Sequence, residues 1–303
     1  MGDVLMPTAF VLSGGASLGA VQLGMLRALL ERGITPDLVV GSSVGALNGG
    51  WLAGSPHLEG VEKLEAIWRS IGRSAIFPVR PLSGLLGFLG RRAHLVPPEP
   101  LERLLRHHLP YTRLEDARVP LHIVATDVAD GVEVLLSSGD AVRAILASAA
   151  IPGVFPPVSI GDHQLMDGGV VDNNPISHAV HLGATVVYVL PTGYSCALPE
   201  APRSALGMVL HALNLMTVQR LLIDIERYEK EVELHVIPPP CPLSVSPADF
   251  SRTVELIAAS HTAAEGWLDG PQRLVGQRRL LAFHHHPRPV DTVRQARRRR
   301  ASA

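Results

Sequence analysis

The sequence has only two cysteines, Cys196 and Cys241, and they lie far apart. Their spacing matches neither a disulfide framework nor the paired cysteines of a zinc site, so we expect free thiols in a reducing compartment and no metal. Aromatic residues are also scarce, at 4% of the chain. Leucine, valine and alanine must therefore build the core, for which a hydrophobic content of 47% is ample.

The chain also lacks a strong net charge, which is −1 at neutral pH. Nucleic-acid-binding domains usually carry a clear basic excess, so we expect no nucleic-acid partner. The sequence contains no apolar run of the about 18 residues that crossing a membrane requires, and its first residues do not form a secretory signal. We therefore expect a cytoplasmic protein without a membrane-spanning helix.

A short apolar strand over residues 38–40 runs directly into Gly41-Ser42-Ser43-Val44-Gly45. A Gly-x-Ser-x-Gly sequence between a strand and a helix is typical of a nucleophile elbow, where the serine occupies a strained turn and the glycines let strand and helix approach closely. The pattern predicts Ser43 as a nucleophile whose hydroxyl points into solvent. The alternative is a glycine-rich turn with an incidental serine.

A second glycine-rich segment, Ser13 to Gly19, follows a predicted buried strand over residues 8–12. Such a loop presents backbone N–H groups to an anion. It is not a P-loop, because Ala20 and Val21 stand where lysine and serine or threonine are needed, and it contains no Gly-x-Gly-x-x-Gly sequence. An oxyanion hole has the same need for exposed N–H donors, and this is the interpretation that the elbow favours.

A predicted hairpin, residues 158–160 and 164–166, delivers Asp167-Gly168-Gly169 at its end. By itself this sequence is typical of an Asx turn. The chain thus contains three motifs in the order found in patatin-like phospholipases: the glycine-rich loop, Gly-x-Ser-x-Gly and Asp-Gly-Gly. Over about residues 8–190 it resembles a bacterial member of that family. Three further segments share the resemblance: residues 147–152, 155–158 and 172–175.

The resemblance implies a three-layer α/β/α fold with a mostly parallel central sheet and helices on both faces. It also implies a lipid acyl hydrolase without a cofactor, in which Ser43 attacks an ester carbonyl and Asp167 takes its proton with no intervening histidine. The oxyanion would be held by backbone amides of Gly14, Gly15 and Ala16. Further glycines support these motifs: Gly19, Gly41, Gly45, Gly168 and Gly169.

Two residues depart from the family pattern. Ala16 replaces the third glycine of the loop, and Leu18 stands where an arginine or lysine is usual. The missing cation lowers the positive potential beside the loop and bears on the choice of headgroup. Three alternatives remain: an esterase or thioesterase of soluble acyl substrates, a catalytically silent lipid-binding scaffold, and an α/β-hydrolase with a Ser-Asp-His triad, which is disfavoured because Ser43 follows only two predicted strands.

We predict one hydrolase domain over residues 1–283 and a basic, disordered tail over residues 284–303, and we predict nothing about the oligomeric state. A loop-rich insertion over residues 77–98 is expected to cover the sheet. Further helices are predicted over residues 99–109, 140–150, 176–182, 204–230 and 253–267, and further strands over residues 121–126, 131–136, 186–190 and 234–237.

The end of the chain concentrates positive charge. From Arg273 onward it holds nine arginines and a single acid, Asp291. Each arginine near an anionic surface can contribute about 1 kcal/mol of attraction, so we expect peripheral binding to an anionic membrane, in the cell the inner membrane face. The intact protein should co-sediment with anionic but not zwitterionic vesicles, binding should weaken steeply with salt, and truncation after Phe283 should abolish it.

Hydrolysis of a soluble ester should be unchanged by that truncation. If the truncated protein binds anionic vesicles as well as the full chain does, the tail is not the anchor. The apolar segment over residues 82–89 is then the next candidate.

Overall fold

The computed structural model describes residues 6–72, 76, 95–193, 205–241, 243, 245–247 and 249–270. The strands within these ranges are β1 Thr8–Leu12, β2 Leu38–Ser42, β3 Leu121–Asp127, β4 Glu133–Leu136, β5 Val158–Ile160, β6 His163–Asp167, β7 Val186–Leu190 and β8 Glu233–Val236. The α-helices are α1 Ala20–Glu31, α2 Val44–Gly54, α3 Leu58–Ser70, α4 Glu99–His108, α5 Ala141–Ser148, α6 Ile176–His181, α7 Ala205–Tyr228 and α8 Thr253–Asp269.

All of these strands belong to one sheet. Hydrogen-bonded pairing connects them in the order β5-β6-β3-β2-β1-β7-β8, and β4 also pairs with β3. Strands β3, β2, β1, β7 and β8 run parallel to one another, whereas β4 and β6 pair antiparallel with β3, and β5 pairs antiparallel with β6. The predicted mostly parallel sheet is confirmed, and β8 lies at its edge among the described strands.

Side chains of successive strand residues alternate between two hydrophobic clusters. In β1, Phe10 and Leu12 belong to a cluster with α1, α2, α3 and α8, while Ala9 and Val11 belong to a cluster with α6 and α7. A strand alternates its side chains between the two faces of the sheet, so helices cover both faces. The predicted three-layer α/β/α architecture is therefore confirmed.

Most predicted elements agree with the structure to within one or two residues. Helix α6 begins at Ile176 after Pro175, and no side chain caps it. Asp140 does cap α5, accepting a hydrogen bond from the Arg143 amide at 2.8 Å. Most of the predicted insertion, residues 77–94, and the predicted tail lie outside the described residues.

One edge of β3 brings together two distant parts of the chain. Strand β4 pairs with residues 123–126 of β3 and thereby occupies one edge. On the other edge β2 pairs up to Ser42 opposite Val124, and β6 takes over with Asp167 opposite Ala125. The end of β2 and the end of β6 therefore meet at consecutive residues of β3. No helix in the described ranges is both long and apolar enough to cross a bilayer.

Two helical glycines offer a matched test of the packing between α1 and α8. A Cβ atom on Gly24 of α1 would lie 2.3 Å from the Ile257 carbonyl oxygen in α8, whereas no described atom lies within 4 Å of a Cβ atom on Gly266. Gly24→Ala should therefore lower the free energy of unfolding by about 1–3 kcal/mol. Gly266→Ala should raise it by up to about 1 kcal/mol, because alanine favours a helix.

Urea denaturation of both variants measures these changes. Equal effects of the two substitutions would contradict the tight contact at Gly24.

Candidate active site

Ser43 lies between β2 and α2 with an unusual backbone conformation, φ 54° and ψ −123°. A non-glycine residue in this region costs about 1–3 kcal/mol and persists only where its surroundings fix it. The Ser43 amide donates to Oγ of Ser148 at 2.8 Å, and that hydroxyl donates to the Val124 carbonyl at 2.6 Å. Ser148 therefore ties the strained turn to β3. Sequence reasoning assigned no role to Ser148, although this residue lies in one of the family-like segments.

The flanking glycines of the elbow are required by close contacts. A Cβ atom on Gly45 would lie 2.0 Å from the Leu12 carbonyl oxygen, and one on Gly41 would lie 2.6 Å from the Gly45 carbonyl oxygen. These distances are too short for any side chain, because the atoms that a Cβ atom would meet belong to the backbone and cannot move aside. Strand β2 and helix α2 therefore meet at Ser43 in a tight turn that requires glycine at both flanking positions.

Asp167 ends β6 and faces Ser43. Its Oδ2 accepts a hydrogen bond from the Ser43 hydroxyl at 2.7 Å, and its Oδ1 accepts one from the Gly169 amide at 2.8 Å. The prediction that the Ser43 hydroxyl points into solvent is wrong, because Ser43 is only 6% exposed. Asp167 is also 6% exposed. A Cβ atom on Gly168 would lie 2.2 Å from the Val124 carbonyl oxygen, so β6 meets β3 and β2 only because this residue is glycine.

Burial raises the pKa of Asp167 to about 6, against the opposing effect of the hydrogen bonds from Ser43 and the Gly169 amide. A carboxyl group removed from water is harder to ionise, and no cation contributes to the pKa of Asp167 to offset the lost hydration. Asp167 is therefore ionised at neutral pH and more basic than an ordinary aspartate. This is the behaviour expected of a carboxylate that accepts a proton from a hydroxyl.

The glycine-rich loop lies beside Ser43, but its three predicted donors are not equivalent. The Gly14 amide donates to the Asn173 carbonyl at 3.3 Å, so Gly14 is not free as an oxyanion donor in this conformation. The amides of Gly15 and Ala16 have no hydrogen-bond acceptor among the described residues. Ala16 has φ 51°, a left-handed conformation that glycine would adopt at lower cost. The loop therefore offers two donors, and Gly14 positions it.

Close packing also holds this loop in place. A Cβ atom on Gly15 would lie 1.9 Å from Oγ1 of Thr192, whose hydroxyl donates to the Gly14 carbonyl. A Cβ atom on Gly19 would lie 2.5 Å from Cγ2 of Val44 at the start of α2. These contacts keep the Gly15 and Ala16 amides in a fixed position next to the nucleophile elbow.

Two cavities meet at Ser43. We call the first the asparagine cavity; its lining includes Asp167, Leu18, Thr192, Asn173, Asn174 and Asn214. We call the second the apolar cavity; its lining includes Val44, Leu47, Trp68, Leu104, Phe155 and Phe250. Asp167 is the only charged side chain among the described residues that line either cavity. Ser43 therefore faces an apolar space on one side and a largely neutral, partly polar space on the other.

No histidine lines either cavity within the described part of the chain. Two histidines outside these cavities pair with glutamates: His261 contacts Glu31 at 2.7 Å, and His235 contacts Glu233 at 2.7 Å. A Ser-Asp-His triad is therefore not formed by the described residues. The described clusters of metal-ligand residue types, around His261 and around His178, also contribute no residue to the lining of these cavities.

Comparison with solved structures and curated proteins gives distant similarities. The crystal structure of VipD from Legionella pneumophila aligns with 86% of this chain and 67% of that chain, with 15% identity and a TM-score of 0.44. Human GIVD cytosolic phospholipase A2 aligns with 91% of this chain and 60% of that one, with 14% identity and a TM-score of 0.46.

Curated relatives share more sequence with this chain. Lysophospholipase NTE1 of Kluyveromyces lactis is 30% identical over 191 residues, which are 60% of this chain and 12% of that protein. Patatin-like phospholipase domain-containing protein 7 of Rattus norvegicus is 27% identical over 191 residues, 61% of this chain and 13% of that protein. The chain thus spans about an eighth of these relatives. The family profile described as patatin-like phospholipase matches residues 10–180, more than half of the chain, so the chain belongs to the patatin-like phospholipase family.

Proposed function

We propose that the protein hydrolyses carboxylic ester bonds of lipids, with Ser43 as nucleophile and Asp167 as its base. The observation that carries this proposal is the 2.7 Å hydrogen bond from the Ser43 hydroxyl to Oδ2 of Asp167, at the junction of two cavities. A serine hydroxyl becomes an effective nucleophile when a base within hydrogen-bond distance takes its proton. Membership of the patatin-like phospholipase family supports the same chemistry.

In the first step Ser43 Oγ attacks the ester carbonyl carbon and its proton passes to Oδ2 of Asp167. The carbonyl oxygen becomes negative and accepts hydrogen bonds from the amides of Gly15 and Ala16. The bond to the leaving alcohol then breaks, and that alcohol takes the proton from Asp167. A water molecule repeats the sequence on the acyl-serine, again giving its proton to Asp167, and releases the fatty acid.

The apolar cavity is the part of the site suited to the acyl chain. Its described lining consists of hydrocarbon and aromatic side chains apart from Ser43, and burying an acyl chain there contributes ~0.8 kcal/mol for each CH₂ group removed from water. The asparagine cavity then receives the leaving alcohol. Its neutral amide and hydroxyl groups can donate to and accept from the oxygens of a glycerol backbone.

Leu18 affects which headgroup this arrangement suits. It is 6% exposed, it lines the asparagine cavity, and it stands where the family usually has a cation. Without a cationic side chain among the described lining residues, an anionic headgroup gains no charge pairing to offset its desolvation. We therefore propose a monoacyl phospholipid of no net charge as the preferred substrate class, and relatives named lysophospholipases support this choice.

Membrane contact remains part of the proposal. The arginine-rich tail, which lies outside the described residues, would bring this cytoplasmic hydrolase to an anionic membrane surface at the inner membrane face. Hydrolysis of soluble esters or thioesters and a silent lipid-binding role are the competing functions.

Ser43→Ala should lower hydrolysis of a monoacyl phosphatidylcholine by about 10³-fold or more, because the acyl-serine cannot form. A fluorophosphonate probe should label the unmodified protein at Ser43 and leave the variant unlabelled. His261→Ala, which alters a histidine outside both cavities, is the matched control and should retain activity and labelling. Fatty-acid release and labelling followed by peptide mapping measure both outcomes.

Three results would exclude parts of the proposal. Turnover by Ser43→Ala would exclude the nucleophile, and absence of labelling in folded protein would favour the silent scaffold. Faster hydrolysis of an acyl thioester than of any lipid ester would indicate that the protein acts on soluble acyl substrates.

Asp167→Asn should lose activity and gain stability. The folded pKa of Asp167 is about 6 against the ordinary 3.8, so ionisation of this buried carboxyl destabilises the folded state at neutral pH. That penalty, about 3 kcal/mol, is complete above the folded pKa, shrinks as the pH falls from 6 to 4 and is absent below the unfolded pKa. Thermal melts should show the variant more stable at pH 8 and equal to the unmodified protein near pH 4.

Hydrolysis by the unmodified protein should likewise decline below pH 6, as the base becomes protonated. An Asp167→Asn variant that is active, or less stable at pH 8, would contradict the role of this carboxylate.

A further inference from the structure

Three side chains from separate elements converge at a place that the proposed hydrolysis does not use. Glu133 begins β4, Asp172 follows the turn after β6, and His178 lies in α6. One ligand-type atom of each, a carboxylate oxygen or an imidazole nitrogen, lies within 4.8 Å of the other two. None of the three lines either cavity at Ser43.

The carboxylate of Asp172 is buried without adequate partners. Asp172 is 1% exposed, its Oδ1 has no hydrogen-bond donor among the described residues, and its Oδ2 accepts only one long hydrogen bond, 3.4 Å from the Ser177 hydroxyl. Nε2 of His178 is also buried without a hydrogen-bond partner in the described ranges. Burying an unpaired polar group is costly, and burying an unpaired charge is more so. Both atoms are therefore available to a ligand.

The distance between His178 and Glu133 fits a pair of metal ligands better than a hydrogen bond. His178 Nε2 lies 3.6 Å from Glu133 Oε1, beyond the 3.2 Å limit of an ordinary N–H···O hydrogen bond. In a tetrahedral site with metal–ligand bonds of about 2.0–2.1 Å, two ligand atoms are ~3.4 Å apart. The two atoms therefore need to move little to bind one ion.

The local charge also favours a divalent cation. Asp224 and Arg220 both act electrostatically on Asp172, but they pair with each other at 2.8 Å. Arg220 is therefore engaged by Asp224, and no described cation forms a salt bridge with the buried carboxylate of Asp172. A divalent cation would provide the missing positive charge. Glu133 is 36% exposed, which gives such an ion a route from solvent.

We propose that Glu133, Asp172 and His178 form a binding site for one divalent cation of the zinc class. One imidazole nitrogen and two carboxylate oxygens suit Zn²⁺ better than Mg²⁺ or Ca²⁺, which prefer oxygen ligands only. Water completes the coordination. The ion joins β4, α6 and the segment after Asp167, and residue Asn173 of that segment accepts the hydrogen bond from Gly14 of the oxyanion loop.

The chain provides a matched control cluster. Glu31, His261 and Glu265 likewise combine one histidine with two carboxylates, and their ligand-type atoms also lie within 4.8 Å of one another. Glu31, however, already accepts hydrogen bonds from Arg27 at 2.9 Å and from His261 at 2.7 Å. Because its groups pair with one another and with Arg27, this cluster should not bind the ion.

The test measures zinc bound to the full chain, with His284, His285 and His286 replaced by alanine in every protein so that the histidine run does not bind the metal. After chelation and dialysis, titration calorimetry and elemental analysis should give one Zn²⁺ per chain. Saturating Zn²⁺ should raise the melting temperature by about 5 °C. Glu133→Gln and His178→Gln should each weaken binding at least ~10-fold and remove the thermal shift, while His261→Gln should bind like the parent.

Glu133 is partly exposed, so Glu133→Gln tests the site even where His178→Gln fails to fold. Absence of stoichiometric zinc in the parent, unchanged binding in the folded variants, loss of binding in His261→Gln, or a thermal shift with Mg²⁺ in place of Zn²⁺ would each overturn the proposal.

Discussion

The shared edge of β3 is the constraint on which the site depends. Ser42 pairs with Val124 and Asp167 pairs with Ala125, because β2 stops where β6 begins and β4 already occupies the opposite edge. The residue after β2 and the last residue of β6 are thereby placed side by side. The 2.7 Å contact between the Ser43 hydroxyl and the Asp167 carboxylate follows from this register and from Gly168, where any side chain would collide with the Val124 carbonyl.

The site is held in a conformation that the surrounding fold must stabilise. Ser43 has a positive φ and Asp167 carries a carboxylate out of water, and each is unfavourable in isolation. Hydrogen bonds to rigid elements oppose this: Ser148 fixes the Ser43 amide, and Thr126 donates to the Asp167 carbonyl at 2.9 Å. Both of these hydrogen-bond chains end on β3, so this strand holds the Ser43 hydroxyl and the Asp167 carboxylate in contact.

The site that we propose, with Ser43 as nucleophile and Asp167 as base, contains little other charge. Asp167 is the only charged group among the described residues lining the two cavities, and Leu18 supplies hydrocarbon where the family usually has a cation. Binding in these cavities therefore depends on apolar burial and on neutral hydrogen bonds. The proposed ion site differs, because there a buried carboxylate oxygen of Asp172 has no hydrogen-bond donor among the described residues. The turn after Asp167 connects the two regions through Asp172 and Asn173, which are adjacent in the chain.

Local sequence determined the elements, the nucleophile elbow and the order of the three motifs. Strand and helix periodicities and glycine positions are set by residues a few places apart, so β1 and β7 agree with prediction at both ends. Tertiary structure decided what each motif contacts. Asp167 follows Ser43 by 124 residues, so the local sequence is equally consistent with an ordinary Asx turn. Only the pairing of β6 with β3 places the Asp167 carboxylate opposite the serine. The engagement of Gly14 by Asn173, and the convergence of Glu133, Asp172 and His178, likewise depend on packing between elements that share no local sequence signal.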